Sequence, residues 1–123
     1  MRVSRGEFDR LAEAALQGIP RRFRDLIVNL EISIRARPGP EAGRDQGSRR
    51  LLGLYLGPDR TALGGPFCAV AGARIVLYQN NIESGCRDAE ELERQIRLTL
   101  RHELAHHFGF TDAELRMKWP EGA

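Results

Sequence analysis

Phe8, Leu11, Ala12, Ala15 and Leu16 recur at the three- and four-residue steps of a helix. Ser4 and Glu7 ahead of them form a capping box, in which each side chain satisfies a backbone N–H of the first turn. Gly18 and Pro20 end that helix. From Leu26 the period shortens to two. Leu26, Val28, Leu30, Ile32 and Ile34 fall on one face and Asn29, Glu31, Ser33 and Arg35 on the other, the pattern of a half-buried strand. Residues 37–48 (RPGPEAGRDQGS) mix Pro, Gly and charge and predict a mobile loop. Leu51 to Leu56 predicts a second strand, interrupted by Gly53 and stopped at Gly57-Pro58. A further loop follows through Gly64-Gly65-Pro66, and Arg74 to Gln79, β-branched and aromatic, predicts a third strand.

Asn80 to Gly85 predicts a turn. Asp88 with Glu91 caps a long helix from about Ala89 to Phe108, whose apolar stripe is Leu92, Ile96, Leu100 and Leu104. Gly109 stands where a left-handed residue closes a helix. Thr111 and Glu114 cap a short last helix through about Lys118, and Trp119 and Pro120 end the order. Helix, strands, helix, helix is an α+β arrangement with a small sheet packed against helices.

The 123 residues fit a single domain, 1–123. A chain of this size, 41% hydrophobic, buries a core without staples. No apolar run reaches bilayer length, and the charged N-terminal stretch lacks the apolar segment of a secretory signal, so the expected location is cytoplasmic with no membrane contact. Cys68 and Cys86 make no disulfide framework, and Cys86, close to a helix start, has no oxidoreductase motif around it. Lys and Arg (19) barely exceed Asp and Glu (17), and the arginines are spread along the chain, with short clusters at Arg21, Arg22, Arg24 and at Arg49, Arg50. That argues against a nucleic-acid partner, which calls for a concentrated patch and a reading element.

Residues 102–112 read HELAHHFGFTD. His102 and His106 are four apart on the predicted helix, a turn of about 400°, so both imidazoles leave nearly the same face. Two nitrogens converging from adjacent turns suit a tetrahedral zinc. Glu103, rotated by about 100° from His102, sits beside such a metal and is placed to take a proton from water. Gly109 lets the backbone leave the helix sharply. Asp112 then returns as a third, oxygen ligand, leaving the fourth position open as catalytic zinc sites do. Two His and one carboxylate also suit iron; the HExxH helix with its adjacent glutamate favours zinc. His107, about 140° around the helix from His102, is read as a surface residue or a support to the metal ligands. Glu114 and Glu121 are less well placed than Asp112.

The segment resembles the extended motif HExxHxxGxxD of metzincin-like zinc peptidases, matched by His102, Glu103, His106, Gly109 and Asp112. With the short length, the RIVLYQNNIE strand and turn before it and the motif near the end, the chain is similar to the mini-zincins, small bacterial proteins regarded as zinc metallopeptidases. The resemblance implies a minimal zincin-like fold, with a three- or four-stranded sheet against the active-site helix and helices at both ends. It also implies bound zinc and a peptide or protein substrate. Metzincins carry a methionine beneath the metal; Met117 is the candidate here, and the sequence equally allows it as a core residue of the last helix.

The expected reaction is peptide-bond hydrolysis with Glu103 as general base. An extended substrate would pair with a strand edge; Arg74–Gln79 is one candidate strand, though the sequence does not identify the edge. The short stretch after Asp112 leaves one wall of a cleft to be supplied by the 37–48 loop or by a second copy in a homo-oligomer. The alternative function is a zinc-binding interaction or regulatory protein that keeps the scaffold without proteolysis.

Overall fold

Ser4 accepts a hydrogen bond from the Glu7 N–H and starts α1 (Arg5–Gln17), which closes at Gly18. The computed structural model describes residues 1–27, 29–57 and 73–120. Pro20, its φ fixed near the helical value, opens a one-turn helix, α2 (Arg21–Arg24), too short to leave a periodic signature. The strand expected from Leu26 begins later, as β1 (Leu30–Arg35). Leu26 and Ile27 still donate their N–H groups to Phe23 and Arg24 in the manner of a turn, and Asn29 takes a left-handed φ of 53° that asparagine tolerates.

β2 (Gly53–Leu56) and β3 (Ala73–Tyr78) complete a three-stranded sheet in the order β1-β3-β2. β1 runs parallel to β3 and β2 antiparallel to it. β3 is therefore central, with its backbone paired on both sides, which removes Arg74–Gln79 as the candidate substrate-side edge. The register sets Ile32 and Tyr55 beside Ile75, and Ile34 and Gly53 beside Leu77. These positions share the face on which the core lies, while Val76 and Tyr78 point to the other face and are also fully buried.

That second face is covered by the segment expected to be a mobile loop. It forms 3₁₀ turns over Pro40–Asp45 and is tied down. The Glu41 carboxylate accepts the Gly39 N–H and the Tyr78 hydroxyl, each at 2.8 Å, and these two bonds hold its carboxyl below the usual range. Burial, then the bond to Glu41, pushes the Tyr78 phenol up. The Asn81 amide donates to Ser48 and Leu51 carbonyls, both at 2.8 Å.

Residues 80–85 also depart from expectation. Gln79–Ser84 is a helix, α3, with no apolar period because its anchors are polar. Gln79 and Glu83 are buried, and Glu83 Oε2 accepts from the Val3 N–H at 3.0 Å and from Gln79 Nε2 at 2.9 Å. Cys86 is buried with its thiol on the Ile82 carbonyl, and burial pushes its pKa up, the opposite of an activated thiolate. Cys68 and the Gly64–Pro66 loop lie outside the described residues.

α4 (Ala89–Phe108) matches its expected bounds, with the Asp88 side chain capping the Glu91 N–H. Leu92, Ile96, Leu100 and Leu104 are all buried against the sheet and against Phe8, Leu11 and Ala15 of α1. Each such side chain contributes roughly 1.5–3 kcal/mol relative to exposure, which fixes the rotation of α4 about its axis. No helix among the described residues is long and apolar enough to cross a membrane.

α5 (Asp112–Lys118) opens on the full capping box of Thr111 and Glu114. Trp119 caps the end of α5 and is itself held in the core. Its ring stacks on Phe23 at 4.8 Å, and its carbonyl accepts two bonds from the Arg101 guanidinium. Phe23 in turn packs on Phe108 and Phe110, so α2, the end of α4 and the end of α5 share one aromatic cluster. Trp119→Ala is expected to cost about 3–5 kcal/mol, the range for removing a large aromatic from a core. Urea unfolding measures it, and a loss below about 1 kcal/mol would mean the cluster is peripheral.

Candidate metal centre

The stripe that fixes α4 also decides what its other faces show. His102 and His106 lie off that stripe and are exposed, their ring centroids 5.2 Å apart and nearly perpendicular. This is the i, i+4 neighbour relation realised on adjacent turns. Glu103 and His107, one residue further on, face the sheet and are buried. With Thr99 they form a polar file at four-residue steps against β2.

Gly53 makes that approach possible. A Cβ at this position would stand 2.8 Å from Thr99 Cγ2, 3.3 Å from Glu103 Cγ and 3.3 Å from the Val76 carbonyl. Thr99 cannot swing aside freely, since its hydroxyl donates to the Gln95 carbonyl at 2.8 Å. Two residues along β2, the Tyr55 hydroxyl lies 3.1 Å from His107 Nδ1, with the rings edge to face. The surface reading of His107 is therefore corrected: it is 1% exposed and joins α4 to β2.

Four other glutamates commit side-chain oxygens to the fold. Glu41 holds the 3₁₀ turns, Glu83 holds α1 to α3, and Glu91 and Glu114 hold helix starts. Glu103 makes no hydrogen bond to the described residues, although it is only 8% exposed. Burial pushes its carboxyl above the usual carboxylate range, and the nearby His106 offsets part of that rise. The arrangement is a desolvated, uncommitted carboxylate flanked in sequence by one of two outward imidazoles.

Gly109 closes α4 with φ 77°, the Phe110 N–H bonding to the Ala105 carbonyl and the Gly109 N–H to that of His106. This pair of bonds is a Schellman motif, which turns the chain out of the helix within two residues. Asp112 follows as the first residue of α5, with an exposed side chain. The structure thus brings His102 and His106 together and sets Glu103 behind them. Among the described residues, no three His, Cys, Asp or Glu side chains are gathered closely enough to hold a metal, so Asp112 does not stand as a ready-formed third ligand in this conformation. As a donor set the residues still suit a divalent transition ion: two accessible imidazoles on adjacent turns, and a carboxylate free to rotate just past the helix end. Met117 is 83% exposed, so it fills neither the core nor a floor beneath the histidines.

Sequence reasoning missed Gly53 and Tyr55. A glycine inside a strand pattern was the available sign, because it marks close backbone approach. Gly53→Ala is expected to destabilise the protein by about 1–3 kcal/mol through overpacking. Thermal or urea denaturation checks it, and unchanged stability would contradict a tight β2–α4 contact.

A family model described as zincin-like metallopeptidase matches residues 27–119. Among solved structures, the chain is similar to a conserved hypothetical protein from Thermo thermophilus, with 25% identity and a TM-score of 0.56 over 86% of this chain and 94% of that one. A search of curated proteins gave no match.

Proposed function

The chain belongs to the zincin-like metallopeptidase family and has a minimal α+β fold of that kind, and from this premise we propose that it is a zinc-dependent peptidase acting through the end of α4. His102 and His106 hold the ion, Asp112 completes the protein ligands by rotation of its exposed side chain, and Glu103 is the general base. The observation that carries this reading is the division of α4 into an outward pair, His102 and His106, and an inward, uncommitted carboxylate, Glu103. A zinc ion in such a site supplies polarisation of the scissile carbonyl and acidification of water.

The remaining chemistry belongs to the chain's own side chains and backbone. Glu103 accepts the proton of the attacking water and returns it to the leaving amine. Its desolvated setting keeps bulk water from competing for that proton. Pairing of Tyr55 with His107, and the close approach at Gly53, hold Glu103 at a fixed height above the sheet. The substrate is a peptide or protein segment. It lies extended along β2, which is an edge of the described sheet and runs directly beside Glu103.

Glu103→Gln is expected to keep the metal and lower turnover by about 100- to 10,000-fold, the usual share of a general base. Release of new amino termini from a diverse peptide library measures turnover. Equal rates in the variant exclude Glu103 as the base. No cleavage by metal-loaded wild type contradicts the peptidase reading and leaves a zinc-binding scaffold.

A further inference from the structure

The sequence spreads its arginines, but the fold gathers several of them around one hollow. Arg2 precedes α1, Arg37 follows β1, and Arg49 lies in the segment leading to β2; all three line one cavity of about 360 Å³. Each is exposed and makes no hydrogen bond or ion pair with the described residues. Arg37 also borders an adjoining hollow lined by Arg5 and Arg35, which extends the positive field. Glu83, the carboxylate in the cavity wall, turns Oε2 toward the Val3 N–H and Gln79 Nε2. Asn80 and Ser48 add polar residues to the wall.

We propose that this cavity binds the phosphate group of a small phosphorylated molecule. Arginines from three separate segments line one concave space, and none of the three is paired with a carboxylate among the described residues, so an anion bound there would relieve their mutual repulsion. Arginine presents paired N–H donors that match phosphate oxygens. Three such forks suit a dianionic phosphate better than a single carboxylate. The volume falls at the lower end of the range of about 300–1,000 Å³ for small-molecule sites, which leaves room for an organic remainder beside the phosphate. The cavity shares no residue with His102, Glu103, His106 or Asp112, so this inference stands independently of the peptidase reading.

The test is isothermal titration of the full chain with ribose 5-phosphate, inorganic phosphate and acetate at matched ionic strength. Wild type is expected to bind one ribose 5-phosphate saturably, more tightly than inorganic phosphate, and acetate not at all. Arg37→Gln and Arg49→Gln each weaken the ester by about tenfold or more, the effect of losing a charge-assisted bond. Arg97→Gln on the exposed side of α4 leaves it unchanged, and so does His102→Ala, which separates the cavity from any metal. Circular dichroism confirms that the variants fold. Absence of ester binding, binding of inorganic phosphate alone, or binding that survives both cavity variants overturns the proposal.

Discussion

β2 can lie against α4 only because position 53 has no side chain. The contact at Gly53, with Thr99 and Glu103 on the helix side, brings the edge of the sheet to the inner face of the motif helix. A side chain there would clash first with Thr99 Cγ2, at 2.8 Å, and would also press on Glu103 Cγ, at 3.3 Å. The leucine and isoleucine stripe of α4 sets the helix rotation, and Gly53 sets its height. Together they turn a sequence motif into an arrangement with an inside and an outside: Glu103 and His107 inward, His102 and His106 outward.

The far end of α4 is fixed by a different device. The Schellman bonds at Gly109 redirect the chain, the capping box at Thr111 starts α5 immediately, and the Phe23–Trp119 stack with the Arg101 bonds to the Trp119 carbonyl pins α5 back onto α4. Asp112 is thereby kept within a few residues of the helix end while its side chain remains exposed. The proposed ligand set therefore asks for a rearrangement at Asp112, the first residue of α5, whose side chain is exposed.

Much of this was legible in the sequence where local rules decide. The bounds of α4, its buried stripe, the left-handed Gly109 and the capping box at Thr111 depend on spacing and on the residue types themselves. Elements held by distant polar contacts were not legible. α3 owes its form to Gln79 and Glu83 bonding to Val3 and to Asn81 bonding to Ser48 and Leu51, all far away in the chain, and the 37–48 segment is ordered by Glu41 reaching Tyr78. The same limit explains His107, whose partner Tyr55 lies 52 residues earlier. Period two misplaced the start of β1 because alternation in composition does not reveal the left-handed turn at Asn29.

The central claim is that the end of α4 holds a metal through His102 and His106 with Asp112 as the third ligand. Metal content by mass spectrometry on purified wild type, His102→Ala and Asp112→Ala, each stripped by chelation and reloaded with zinc, tests it most directly. Wild type is expected to carry about one zinc per chain, with almost none in His102→Ala and a clearly reduced content in Asp112→Ala. Wild type that takes up no zinc on reloading, or His102→Ala that keeps it in full, would contradict a metal site at the end of α4.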